Sequence, residues 1–526
     1  MTRTTKILLG LALLAFLLIF LRTAWVGDDV YITLRTVDNF VNGYGLTWNV
    51  AERVQSYTHP LWMLTFVPIY ALTRSAYFTA LLVSLAASLL TFWLVARRDV
   101  FAALGVLTLL LSKAFMDYSA SGLENPLTHL LLILFFIAFI EKPSDPLRLS
   151  FIASLLALDR LDALLFVVPA LFYTLLSSSL RGGYSRRSNP RAVEEIASQQ
   201  TLAMTVTKMF LGFLPLILWE AFSLIYYGFP FPNTYYAKLG AGIPHNELFA
   251  QGMVYFIDSF QRDPLTLTVI FAGIGLALVN GKAREQLLAL GSLLYLGYVL
   301  SIGGDFMSGR FLTASLLVSV LLLMRLARDW KPELKLVAVG AVVILGFFAT
   351  PPNFILDLNQ PRFTERDLQT GINDERAYYY PISGLMNYRP GRDVPFSGEG
   401  WVEHGKALRA SGKAVVDEKN VGYIGYFAGP RVHIVDLYAL CDPLLARLPT
   451  QWSGGWRISH YERTPPEGYL QTLRTGVNQI ADPNLAAYYE QLAFITRGPL
   501  FSRARLLAIW KFNTGQFNYL LAESAR

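Results

Sequence analysis

Pro60-Leu61-Trp62-Met63-Leu64-Thr65-Phe66-Val67-Pro68-Ile69-Tyr70-Ala71-Leu72-Thr73 is the stretch on which the fold turns. It is apolar, yet as a helix its residues rise only about 21 Å, short of a hydrocarbon core of roughly 30 Å. Apolar segments that could cross a bilayer lie on both sides of it, at 5–22, 76–96, 100–114, 124–140, 147–160, 163–179, 207–227, 264–281, 286–302, 309–327 and 334–350. If 60–73 also crossed, Arg97 and Arg98 would face outward and every later loop would invert. If it does not, Thr2–Lys6, Arg97/Arg98, Lys142, the Arg181–Arg191 cluster, Lys282/Arg284 and Arg325–Lys335 all fall on the cytoplasmic side, as positive charge in short loops requires. The sequence therefore predicts a multi-pass α-helical membrane protein with about eleven spans, in which 60–73 is re-entrant or partly inserted. The N-terminus is then cytoplasmic.

Composition agrees. Of 526 residues 53% are hydrophobic and 16% charged, with a mean hydropathy of +0.39; an average soluble chain carries about a quarter charged residues. The apolar runs fill 1–350, whereas 351–526 has the composition of a water-soluble domain, so the expected organisation is a transmembrane module followed by an extracytoplasmic cap. The net charge of +7 lies largely in short loops between apolar segments, which argues for a bilayer and against nucleic acid as partner. Cys441 is the single cysteine, so no internal disulfide forms. The apolar run to Phe20 resembles a signal peptide but lacks a small-x-small site before Trp25, and is expected to remain as the first span.

This sidedness places five polar stretches outside: 23–59, 115–124, 159–162, 228–263 and 303–310. In the first, Gly27-Asp28-Asp29-Val30-Tyr31 sets adjacent carboxylates at a membrane boundary, where charge is costly and usually functional. Two such groups suit sharing a divalent cation (Mg, Mn or Ca), or deprotonating a hydroxyl while orienting its owner; they also suit a plain helix cap. The loop continues with Asn49, Glu52, Arg53, Gln55, Tyr57 and His59 among aromatics and glycines. That mixture fits a carbohydrate site, while an interfacial aromatic belt accounts for Trp25 and Trp62 only. His59 reads as a hydrogen-bonding residue, and no histidine spacing typical of zinc is present. No glycine-rich nucleotide loop follows a strand, which favours a lipid-linked donor over a nucleotide sugar.

Gly27-Asp28-Asp29-x-Tyr31-Ile32-Thr33, Asn42-Gly43-Tyr44-Gly45-Leu46 and Glu52-Arg53-Val54-Gln55-Ser56-Tyr57-Thr58-His59-Pro60 come in order. Ser121-Gly122-Leu123-Glu124-Asn125-Pro126, Asp159-Arg160-Leu161-Asp162, Pro232-Asn233-Thr234-Tyr235-Tyr236-Ala237-Lys238 and Gly304-Asp305-Phe306-Met307-Ser308-Gly309-Arg310 follow. Together they resemble the GT-C class of polyprenyl-phosphate-dependent glycosyltransferases, most closely the AftB-type arabinofuranosyltransferases of mycobacteria. The resemblance implies a bacterial plasma-membrane enzyme working on the outer face. Asp28 or Asp29 would be the general base, an acceptor hydroxyl on a cell-envelope glycan or lipid would attack the anomeric carbon with inversion, and polyprenyl phosphate would leave. Lys238 and Arg310, then Arg160 and Arg53, are the candidates for the departing phosphate. Glu124, Asp159, Asp162, Asp305, Asn233 and Tyr236 join the loop residues as candidates for sugar or acceptor contact, Asp162 also reading as a structural partner of Arg160. Any metal would fall on Asp28 and Asp29.

In the cap, 413–417, 422–427 and 432–436 read as strands and 467–496 as helical, giving a small α/β domain. Trp401, Tyr438, Trp452, Trp456 and the Gly454-Gly455 turn suit either a glycan surface or a core. Residues 180–206 read as a flexible linker. The rival functions are a protein- or lipid-mannosyltransferase-like enzyme of the same class, a lipid-linked-sugar transporter or flippase, and a non-catalytic scaffold. Transporters often carry internal repeats and broken helices at the midplane; no repeat is visible here, and the acidic residues fall at the outer boundary.

Overall fold

Helices cover all eleven candidate spans in a computed structural model that describes residues 3–97, 101–184, 191–349, 352–356, 358–359, 365–391, 400–450 and 456–524. Arg3–Thr23 and Ala76–Ala96 are each long and apolar enough to cross a membrane alone. Three bent pairs would bring that number to five if each were a single span: Ala102–Leu111 with Lys113–Ser119, Leu202–Gly212 with Leu214–Tyr226, and His245–Arg262 with Pro264–Asn280, broken by 75°, 53° and 112°. The remaining apolar helices are shorter. These are the helices of a membrane protein. Thr2, Arg98, residues 185–190 of the basic cluster, Trp452 and Gly454-Gly455 lie outside the described residues.

The chain forms two units that interleave in sequence. One comprises Met1–Trp25, Leu81–Ile217 and His245–Met386; the other comprises Val26–Ala80, Leu218–Pro244 and Asn387–Arg526. The compositional boundary at 350 is a different property from this division by packing.

The first unit is built around Leu312–Leu326, a helix buried on every side from Leu312 to Met324, which is what an apolar sequence without a polar face demands. Asn125–Glu141, Pro264–Asn280 and Ala283–Ser301 pack on it. Small residues allow close approach: Ser319 donates to the Ile270 carbonyl at 3.2 Å. Residues 191–212, expected in part to be linker, are helical.

The second unit begins with the helix Asp28–Val41. Against it packs Pro60–Thr73, the undecided stretch, a 14-residue helix that opens on Pro60, contains Pro68 and ends at a left-handed Arg74. In the C-terminal part, β1 (Val415–Glu418) and β2 (His433–Asp436) pair in parallel. Residues 422–427 were expected to be a strand between them and are instead the helix Tyr423–Ala428. Parallel neighbours need a crossover, and this helix is it. A core of Leu444, Tyr469, Leu492, Ile495, Ile509 and Phe512 gathers the helices after residue 467.

Candidate functional site

Asp28 and Asp29 open the helix Asp28–Val41, and their surroundings differ. Asp28 is buried, and each of its oxygens accepts a backbone N–H, from Gly422 at 3.1 Å and from Tyr423 at 2.6 Å. Gly422 is obligatory: a Cβ there would lie 2.0 Å from the Asp28 carbonyl oxygen. Burial raises the Asp28 carboxyl to about 7, the Tyr423 and Gly422 N–H groups pulling downward and the Asp29 and Asp436 charges upward. Asp29 is only half-buried. With two N–H donors already on Asp28, the pair supplies too few oxygens for the six or more ligands of calcium. Among the described residues no group of three or more His, Cys, Asp or Glu could hold a metal ion.

Two turns further along the same helix, Arg35 is buried with no carboxylate against it. It donates to the carbonyls of Trp48, Gly425 and Val432 at 2.9, 2.8 and 2.8 Å and to Asn49 Oδ1 at 3.4 Å. Its guanidinium lies 4.1 Å over the Trp48 ring, and burial lowers it to about 10. Asn49 in turn grips β2, accepting from Ile434 N and donating to Ile434 O, both at 3.0 Å. Glu52 takes Arg497 at 3.1 Å, with His433 Nε2 3.6 Å away. The stretch 42–59 is thus fastened to the β1–β2 region by polar groups of both signs.

Arg53, Gln55, Asn233 and Tyr236 line one narrow cleft, with Phe229, Phe231 and Arg447 on its other walls. Asn233 spends its amide on the carbonyls of Ala439 and Asp442, each at 3.0 Å, while its oxygen takes Arg447 at 3.2 Å. Arg447 stacks 4.1 Å over Phe229 and 4.5 Å over Tyr236. Arg53 donates to the carbonyls of Tyr226 and Gly498. Gln55 accepts from Ser223, Tyr57 shares a hydroxyl bond with Tyr227 at 2.8 Å, and His59 meets Thr33 at 2.8 Å. Lys238 stands exposed on the last turn of Asn233–Leu239.

The other six candidates meet in the first unit. Glu124, buried at the N-cap of Asn125–Glu141, receives Arg310 Nη2 at 2.9 and 3.1 Å and Arg160 Nη1 at 3.3 Å. Arg160 also binds both oxygens of Asp162, at 3.0 and 2.5 Å, the structural pairing that the spacing suggested. Asp305 takes Arg310 at 3.4 Å, and Asp159 accepts from Thr128 at 2.6 Å. Phe311 lies under both guanidiniums, 4.5 Å from Arg160 and 5.8 Å from Arg310. Here cations and carboxylates neutralise one another.

Sequence reasoning missed Arg35, His433, Asp436, Asp442, Arg447 and Arg497. Asp436 and Asp442 are buried acceptors of backbone N–H groups, raised by burial to about 6 and about 7. Only Trp48, as a stacking partner, could have drawn attention to Arg35.

No family model matches the chain. It is 27% identical over 417 residues to the terminal beta-(1->2)-arabinofuranosyltransferase of Mycobacterium tuberculosis, covering 68% of this chain and 63% of that protein. It is 28% identical over 356 residues to the protein of the same name from Corynebacterium glutamicum, covering 60% and 50%. The chain therefore spans between half and two thirds of the length of these relatives.

Proposed function

We propose that this chain is a membrane glycosyltransferase that moves a sugar, arabinofuranose by the likeness of its relatives, from a polyprenyl-phosphate donor to a cell-envelope glycan or lipid acceptor outside the plasma membrane. The observation that carries the reading is the division of labour at the start of the first outer loop. Asp28 is committed to backbone donors, and beside it Asp29 is half-exposed. We assign Asp29 as general base and Asp28 as the residue that positions it. A base need only be ionised at the working pH, which a half-exposed carboxylate satisfies more readily than one raised to about 7.

In the proposed step the base takes a proton from the acceptor hydroxyl, whose oxygen bonds to the anomeric carbon as the carbon–oxygen bond to phosphate breaks. Polyprenyl phosphate leaves with the electron pair. Lys238 and Arg53, in the same unit as Asp29, are assigned to that phosphate. Gln55, Asn233 and Tyr236 on the cleft are assigned to sugar hydroxyls and ring faces.

The test is a transfer assay on the purified protein with polyprenyl-phosphoryl arabinofuranose and polyprenyl-phosphoryl hexoses. Carrier release by wild type, absent in Asp29→Asn, supports the enzyme and names the sugar. Binding of the lipids without carrier release, across several acceptors, would favour a transporter or scaffold.

A further inference from the structure

Phe501-Ser502-Arg503-Ala504-Arg505-Leu506-Leu507-Ala508-Ile509-Trp510-Lys511-Phe512-Asn513 is amphipathic in an unusual sense. From the helix Arg503–Asn513 the residues Ala508, Ile509 and Phe512 enter the core of the second unit. The opposite face is large and apolar: Leu507 is 51% and Trp510 57% exposed, with Phe501 at 77% just before the helix and Tyr519 at 58% after it. Single exposed leucines need no explanation, but a contiguous apolar patch marks a surface that meets something.

What it meets is indicated by where the helix is tied. Arg505, fully buried, donates to the carbonyls of Ile225 and Tyr226 at 2.6 and 3.0 Å, the last turn of Leu214–Tyr226. A guanidinium on those carbonyls satisfies groups that have no helical partner and favours the negative end of the helix dipole. Leu218, Leu224 and Ile225 of that helix are themselves exposed apolar residues, the pattern of a segment facing lipid. The exposed face of Arg503–Asn513 therefore begins where a lipid-facing helix ends. Arg503 and Lys511 stand near its two ends as cations for headgroup phosphates, and Trp510 is the residue type that settles at that depth. Eleven residues rise only about 16 Å, too short to cross.

We propose that Arg503–Asn513, with Phe501 and Tyr519, is a monotopic element that beds in the headgroup–acyl boundary of an anionic leaflet and anchors the C-terminal part of the second unit to the membrane surface. This rests on the membrane reading of the chain and is independent of the chemistry proposed above.

The test uses full-length protein in nanodiscs of phosphatidylcholine with and without phosphatidylglycerol. Cys441 is buried, so Leu507→Cys, Phe501→Cys, Lys419→Cys and Leu14→Cys can each be labelled with an environment-sensitive fluorophore. Quenching by nitroxide low on the acyl chain and by aqueous iodide is then compared. The expected result is lipid quenching at 507 and 501 at least about twofold above the exposed control at 419, with protection from iodide, both strengthened by the anionic lipid. Iodide quenching at 507 equal to that at 419 overturns the proposal, and so does protection from both quenchers, which means that protein covers the face. Leu14, exposed on Arg3–Thr23, reports on the bilayer itself. Lipid quenching at 14 without it at 507 refutes the anchor and leaves the membrane reading intact.

Discussion

The Asp28 carboxylate accepts the backbone N–H of Tyr423 at 2.6 Å, across 395 positions of sequence. The bond joins the start of the helix Asp28–Val41 to the crossover between β1 and β2, and it turns an apparent pair of equivalent acids into two unlike ones. Asp28 is buried on backbone donors, whereas Asp29 is half-buried.

The two substitutions should therefore separate. Asp29→Asn is expected to lower kcat by about 10²–10⁴, the usual contribution of a general base, with unchanged thermal unfolding. Asp28→Asn should show a smaller loss of kcat together with a lower unfolding temperature, because an amide offers one acceptor to two N–H donors. Turnover and tryptophan-monitored unfolding of both variants check this; loss of activity in Asp28→Asn alone would reverse the assignment.

The pH dependence has a defined sign. Asp28 titrates near 7 in the folded chain, above its ordinary value of 3.8, because burial disfavours the charge. The folded state thus holds a proton that the unfolded state has lost, and stability from this group is full below about 3.8 and falls as pH rises toward 7. The stability advantage of wild type over Asp28→Asn should shrink across that window. Asp436 and Asp442, also raised by burial, contribute in the same direction and are common to both proteins. An advantage that grows with pH would mean that the two N–H bonds outweigh burial.

Arg35 should matter more to stability than its place in an ordinary helix suggests. Arg35→Ala removes the side-chain donor from the carbonyls of Gly425 and Val432, each costing about 1–3 kcal/mol when buried unpaired, while Trp48 O keeps Asn39 at 3.1 Å, so a loss of at least about 2 kcal/mol is expected. Arg35→Lys keeps the charge but cannot reproduce the planar fork, and should recover less than half of that loss. Gly425→Ala tests the same contact from the other side, since its Cβ would come within 2.8 Å of Trp48 and 3.1 Å of Arg35. Denaturant or thermal unfolding of the three variants measures these effects.

Why some of this was legible and some was not follows from the range of each interaction. Asp28-Asp29, Asn233 and Glu124 were visible because polar residues beside apolar runs are conspicuous whatever they touch. The split between the two aspartates was not, since Gly422 and Tyr423 are distant in sequence. Arg35 sits in Asp28–Val41 like any helical arginine, and its carbonyl partners belong to three separate segments. Tyr423–Ala428 misled for a local reason: tyrosine, isoleucine and phenylalanine favour strands, yet two parallel strands need a connecting element, and that need is tertiary. The apolar spans were plain, while the bends of 75°, 53° and 112° within bent pairs leave no mark in hydropathy.

In the first unit Glu124 serves two arginines. Glu124→Gln should destabilise by about 1–3 kcal/mol, because two charge-assisted contacts weaken while Arg160 keeps Asp162 and Arg310 keeps Asp305. Pairing it with Arg310→Gln should restore part of that loss. A double-mutant cycle on unfolding free energy measures the coupling; strict additivity would show that the contact carries no energy.

The stereochemical outcome tests the proposed step most directly. One base and one displacement invert the anomeric carbon. The curated relatives are named for a β-(1→2) linkage. For this chain to form that linkage by a single displacement, the donor must be joined to phosphate in the α configuration. Our expectation is inversion, checked by the anomeric coupling constants of donor and product in the same NMR experiment. A β product from a β donor would mean retention, which a lone general base cannot deliver. A second nucleophile or attack on the leaving-group face would then be required, and Asp29 would lose the role assigned to it.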